Sequence, residues 1–138
     1  MKSIGDVRVM TLPKFLDKQG FLVAYDAATH FQISLRRVFV VSGHGGAVRG
    51  KHAHKALTQI LVCLSGACRV TCDDGKASQE VLLDRPELAL EIPPGIWAKQ
   101  YYIESNNVLM VLCDLPFDEG DYIRDYDEFM AFRGGRSA

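Results

Sequence analysis

His52 and His54, one residue apart, are the side chains in this chain best suited to chemistry at neutral pH. Side chains alternate along an extended strand, so positions i and i+2 project from one face and the two imidazoles share a pocket. An imidazole titrates near neutrality, which suits taking and returning protons at physiological pH. The pair sits in the run Gly46-Ala47-Val48-Arg49-Gly50-Lys51-His52-Ala53-His54, followed by Gln59 and then Gly66.

That spacing, Gly, five residues, His-x-His, four residues, a Glu or Gln, six residues, Gly, resembles the first motif of the cupin β-barrels. Pro93-Pro94-Gly95-Ile96-Trp97-Ala98 resembles the second. A metal-binding cupin would carry a third His where Ala98 stands and an acidic ligand where Gln59 stands. Two neutral nitrogens and a carboxamide make a poor site for a divalent first-row ion. The resemblance therefore implies a barrel that works with no metal, and the chemistry below needs no organic cofactor.

The elements that must hold the pair are short strands. Phe21–Tyr25, Arg36–Ser42, Gln59–Leu64, Ala67–Cys72, Gln79–Leu83, Leu88–Ile92 and Val108–Cys113 are apolar runs punctuated by turn residues, among them Asp17-Lys18-Gln19-Gly20 and Asp73-Asp74-Gly75. Such spacing predicts an all-β fold, a cupin-type jelly-roll barrel. Only the C-terminus departs from it: Tyr122, Tyr126, Phe129 and Phe132 recur at helical spacing within 118–132, predicting a short helical segment packed on the barrel. Gly134–Ala138 reads as a frayed tail.

Composition bounds the rest. The 138 residues, 48% of them hydrophobic, read as one domain, 1–138, with enough apolar side chain for a packed core. The 16 Lys and Arg against 17 Asp and Glu leave no basic footprint for nucleic acid or an anionic membrane, so a phosphate on any ligand must be met locally. No apolar leader follows Met1-Lys2-Ser3 and no apolar run is long enough to span a membrane, which predicts a cytoplasmic protein. In that compartment Cys63, Cys68, Cys72 and Cys113 read as buried small hydrophobes rather than disulfides or zinc ligands.

A closer resemblance covers nearly the whole chain. Arg49–Lys55, Gln59–Val70 with its Asp73-Asp74-Gly75 turn, Pro94-Gly95-Ile96-Trp97, and Asp121-Tyr122-Ile123-Arg124-Asp125-Tyr126-Asp127-Glu128-Phe129 together resemble the dTDP-4-keto-6-deoxyglucose 3,4-ketoisomerases. The resemblance implies a metal-free jelly-roll cupin that dimerises and moves the keto group of a dTDP-linked 4-keto-6-deoxyhexose from carbon 4 to carbon 3. Relatives often carry Tyr where this chain has Phe39, His where it has Ala98, and Arg where it has Gln19.

The chemistry fits the pair. The substrate's own carbonyl acidifies the carbon 3 proton, so a base, an acid and donors for the developing oxyanion suffice. His52 and His54 are assigned the proton transfers. The resemblance favours His52 as base, while the sequence alone does not order them. Arg49 and Arg37 are candidates for the diphosphate. Gln59, Trp97 and one of Tyr101 or Tyr102 are candidates for the sugar or thymine site, because adjacent strand residues face opposite sides. Val7–Leu12 is expected to pair across a two-fold axis in a homodimer. Two further readings stay open: a sugar-nucleotide-binding cupin without catalysis, and a 3,5-epimerase-like activity on the same substrate.

Overall fold

Alternation of inward and outward side chains sets the strands. In β10 (Trp97–Tyr102), Ala98, Gln100 and Tyr102 are buried while Lys99 and Tyr101 are exposed. In the central β6 (Gln59–Ser65) the first five residues are all buried, as expected of a strand covered on both faces. The computed structural model describes residues 1–134.

The other strands are β1 (Arg8–Thr11), β2 (Lys14–Asp17), β3 (Gly20–Val23), β4 (Arg37–His44), β5 (Val48–His54), β7 (Cys68–Asp73), β8 (Ser78–Leu83), β9 (Leu88–Ile92), β11 (Asn106–Cys113) and β12 (Tyr122–Ile123). They form two five-stranded sheets, β1-β9-β6-β11-β4 and β12-β5-β10-β7-β8, and the separate hairpin β2-β3. All the pairings are antiparallel. The two larger sheets face each other as a jelly-roll barrel. Its interior is closed by Leu61, Cys63, Leu109 and Val111 from one sheet against Cys68, Val70, Cys72 and Tyr102 from the other. The four thiols are free and buried, as read from the sequence.

One buried polar residue ties the loops at an end of the barrel. Asn107 Oδ1 accepts from the Ala67 and Glu104 amides, and its Nδ2 donates to the Gly43 and Glu104 carbonyls. The bonds to the Ala67 amide and the Gly43 carbonyl are buried, where a polar group left without a partner is costly.

The strand expected at Val7–Leu12 forms as β1, at the edge of its sheet, and pairs on one side with β9, Arg8 opposite Glu91 and Thr11 opposite Leu88. One expectation is corrected. At the C-terminus the helix α1 spans only Tyr126–Gly134. Asp125 caps it by accepting from the Asp127 and Glu128 amides. Tyr122 lies upstream, on β12, because the free edge of β5 offers Tyr122 and Ile123 a ladder: Tyr122 pairs with His54 and Ile123 with Ala53. The tail beyond Gly134 lies outside the described residues. None of the described helices is long and apolar enough to cross a membrane.

Candidate active site

The barrel opens into a cavity of about 400 Å³ between the sheets. Arg49, Gly50 and His52 of β5, Gln100 of β10 and Tyr122 of β12 line one wall. Arg37, Phe39 and Val41 of β4, Gln59 of β6 and Val111 of β11 line the other, and Arg124 stands at the rim beside Tyr122. A larger groove of about 550 Å³ outside the barrel, near Lys2, Asp6, Arg8 and Glu91, contains neither histidine nor tyrosine.

A bulge in β5 builds the first wall. Ala98 pairs with His52 but Lys99 with Gly50, so Lys51 is an extra residue on the β5 side. Gly50 (φ 85°) and Lys51 (φ 54°) both take left-handed backbone, and a side chain at position 50 would meet the Gln100 carboxamide 2.9 Å away. The bulge changes the phase of the strand. In a regular strand Arg49 and His52 would face opposite sides, whereas here they pair with the inward residues Gln100 and Ala98.

The two imidazoles meet edge to face with centroids 4.9 Å apart. Tyr122 leans on both, 4.9 Å from His52 and 4.4 Å from His54. His52 Nδ1 lies 3.0 Å from the Gly50 carbonyl and His54 Nδ1 3.0 Å from Asp121 Oδ2. Both partners are acceptors, so each Nδ1 carries the proton and donates, and each neutral ring keeps its Nε2 lone pair free. Asp121 is itself fixed, because its Oδ1 accepts from the Ala56 amide at 2.7 Å. His52 lines the cavity, whereas His54 is 5% exposed and sits behind it. Burial lowers both pKa values. For His54 burial and then the neighbouring His52 outweigh Asp121 and push the value down to about 4. At neutral pH both rings start neutral, ready to accept a proton.

The cations frame a place for an anion. Arg37 is stacked 4.5 Å from the Phe39 ring centre and 5.1 Å from Phe117, and its Nη1 is buried without a protein partner among the described residues. Arg49 lies on the opposite wall. Arg124 is held bidentately by Glu119 at 2.7 and 3.0 Å, with its guanidinium 4.2 Å from the Tyr122 ring centre.

Of the residues expected at the site, His52, Arg49, Arg37 and Gln59 line the cavity, with His54 directly behind. Three do not, and these are corrections. Trp97 points to the outer face of β10, where α1 covers it; its ring meets Tyr126 and Phe129 at 5.3 and 5.6 Å. Tyr101 is 41% exposed on that same outer face, beneath the Arg69 guanidinium. Tyr102 is the inward member of its pair, but it is fully buried against Gly43 and fills the barrel instead of facing the cavity. Gln100, Tyr122, Arg124 and the supporting Asp121 were missed. The motif Asp121-Tyr122-Ile123-Arg124 held the signal, but a helical reading of 118–132 hid its period of two. Among the described residues, no group of three or more His, Cys, Asp or Glu side chains is placed to hold a metal ion.

The family described as "FdtA: WxcM-like, C-terminal" matches residues 5–134. A TDP-4-oxo-6-deoxy-alpha-D-glucose-3,4-oxoisomerase from Aneurinibacillus thermoaerophilus is 41% identical over 126 residues, 91% of each chain. A histidine-to-asparagine mutant of the 3,4-ketoisomerase QdtA from Thermoanaerobacterium thermosaccharolyticum, in complex with TDP-4-keto-6-deoxyglucose, superposes with a TM-score of 0.91. It is 27% identical, with 97% of this chain and 98% of that one covered. The WlaRB TDP-quinovose 3,4-ketoisomerase from Campylobacter jejuni gives 0.86 at 31% identity, over 92% of this chain and 98% of that one.

Proposed function

The chain belongs to the dTDP-4-keto-6-deoxyglucose 3,4-ketoisomerase family, and on that premise we propose that His52 and His54 carry the proton transfers that move its substrate's keto group from carbon 4 to carbon 3. The chain is an isomerase of TDP-linked 6-deoxyhexoses. A neutral imidazole Nε2 takes the carbon 3 proton; the C–H electron pair becomes the carbon 3–carbon 4 double bond and the carbonyl electrons move onto oxygen 4. Oxygen 4 gains a proton, oxygen 3 gives one up, and carbon 4 is protonated as the carbonyl forms at carbon 3. Nothing is oxidised or reduced overall.

The observation that carries this reading is the pair of histidines with both Nδ1 atoms engaged and both Nε2 atoms free, beside a cavity flanked by Arg37, Arg49 and Arg124. Arg37, with its buried unpartnered Nη1, and Arg49 receive the diphosphate, and Gln59 and Gln100 offer carboxamides to the sugar hydroxyls. Proton NMR with dTDP-4-keto-6-deoxyglucose in deuterated buffer tests it. Deuterium entering at carbon 4 of a 3-keto product is expected. Deuterium at carbon 5 would instead mark an epimerase, and none in the ring a binding module.

The working form is a homodimer. The β2-β3 hairpin pairs with neither large sheet and leaves Phe15, Leu16, Phe21 and Leu22 more than half exposed. The edge strand β4 exposes Val38 and Val40 beside an unpaired backbone edge. A second copy would cover both, and light scattering should give twice the chain mass, reduced to the monomer by Leu16→Glu with Phe21→Glu. The free thiols suit a reducing compartment, the cytoplasm.

A further inference from the structure

The back of the cavity wall is apolar and converges on one side chain. His52 and His54 share a face of β5, so Ala53 between them faces the other way, and Ile123 likewise faces away from Tyr122 on β12. Ala53 and Ile123 are partners in the β5–β12 ladder. Both are buried, in one cluster with Phe129 of α1, which is itself 0% exposed. A single ring therefore backs both strands that carry the imidazoles and Tyr122.

β12 has little else to hold it in place. It is two residues long and lies at the edge of its sheet, so its ladder with β5 contributes few hydrogen bonds. Asp121, whose carboxylate orients His54, immediately precedes it and is joined to the chain after β5 by the Lys55 amide, which donates to its carbonyl at 2.9 Å. The helix behind is fastened at both ends. The Tyr126 hydroxyl donates to Asp73 Oδ2 at 2.6 Å, and Arg133 Nη1 donates to the Gly95 carbonyl at 3.0 Å. Trp97 and Phe132 pack around the cluster between those two ties.

We propose that Phe129 is a positioning residue for the isomerisation: packed behind Ala53 and Ile123, it seats β12 on β5 so that Asp121 meets His54 Nδ1 and Tyr122 leans on both imidazoles. Phe129 touches no reacting atom. Removing its ring opens a gap behind a two-residue strand, and β12 relaxes into that gap with Asp121 and Tyr122. A displacement of about 1 Å in a catalytic group is enough to cost about a hundredfold in rate. Loss of core volume elsewhere lowers stability without that effect. Val62 on β6, also 0% exposed but in the separate cluster around Leu12 and Phe31, supplies the comparison.

Phe129→Ala, Phe129→Leu and Val62→Ala are compared with the parent as full chains, well below the unfolding midpoint of each. Proton–nitrogen NMR of the imidazoles reads the tautomers with no substrate present, and kcat on dTDP-4-keto-6-deoxyglucose reads the rate. In the parent and in Val62→Ala both rings should carry the proton on Nδ1, with kcat within about twofold of each other. In Phe129→Ala, His54 should divide between its two tautomers and kcat should fall by about ten- to a hundredfold. Phe129→Leu, which refills part of the space, should fall between, and it carries the test if Phe129→Ala does not fold. Phe129 variants with the parent's tautomers and kcat overturn the proposal, as does an equal loss in Val62→Ala. The rate rests on the ketoisomerase reading and the tautomers do not: a parent that forms no 3-keto product refutes that reading, and a His54 tautomer unmoved by Phe129→Ala or Phe129→Leu refutes the positioning.

Discussion

Asp121→Asn separates what His54 does from what merely surrounds it. The substitution conserves volume, and the new amide oxygen can still accept from the Ala56 amide, as Oδ1 does at 2.7 Å. What changes is the other atom. Asp121 Oδ2 accepts from His54 Nδ1 at 3.0 Å, whereas an amide NH2 there donates. It drives His54 to the tautomer with its proton on Nε2, so the free lone pair turns inward. The lost hydrogen bond to a charged acceptor is worth roughly 1.5–3 kcal/mol. That predicts a fall in kcat of roughly ten- to 150-fold with KM for the TDP-sugar little changed. The sign of the pH effect also follows. Asp121 raises the His54 pKa against burial and the neighbouring His52, so its removal lowers that pKa further and moves the acid limb of kcat to lower pH. Steady-state kinetics across pH, with near-UV circular dichroism as a control on folding, measure both, and Asp121→Glu should recover part of the rate. A folded Asp121→Asn protein with unchanged kcat and an unmoved acid limb would refute the argument.

His52→Asn should lower kcat by roughly two to four powers of ten, the contribution of a positioned acid or base, with TDP-sugar affinity nearly unchanged in calorimetry. Arg49→Ala should do the reverse, weakening TDP binding by roughly 1.5–3 kcal/mol while the bound substrate still turns over. Asn107→Leu removes the buried bonds to the Ala67 amide and the Gly43 carbonyl and should cost about 2–6 kcal/mol in denaturant unfolding, because each unsatisfied buried group costs about 1–3 kcal/mol. Stability should also respond to pH through His54. Its folded pKa of about 4 lies below the ordinary 6.5, so the unfolded chain binds the extra proton first and stability falls as pH drops between those values. The loss should approach about 3 kcal/mol at 1.36 kcal/mol per pKa unit, and His54→Asn should flatten that slope in urea unfolding at pH 7 and pH 4.5.

Local rules carried the sequence a long way. Alternating and continuous apolar runs are a direct record of one-sided or two-sided burial, so β6, β7, β9 and β11 were legible within a residue or two. The His-x-His spacing put both imidazoles on one face for the same reason. Three decisions lay beyond local rules. The sequence could not say which face of β10 the α1 helix would cover, and that alone sends Trp97 and Tyr101 outward and leaves Gln100 inside. A period of 3.6 fitted Tyr122 to the C-terminal aromatic stripe, yet the free edge of β5 claimed it as a strand, because unpaired backbone groups beside the barrel gain more from a ladder than from one further helical turn. Arg49 and His52, three residues apart, should by strand periodicity face opposite ways. Only the bulge at Gly50 and Lys51, stabilised by pairing across to β10, turns them to the same wall. Which groups share a strand is written in the order of residues; which of them share a cavity depends on what packs behind each sheet.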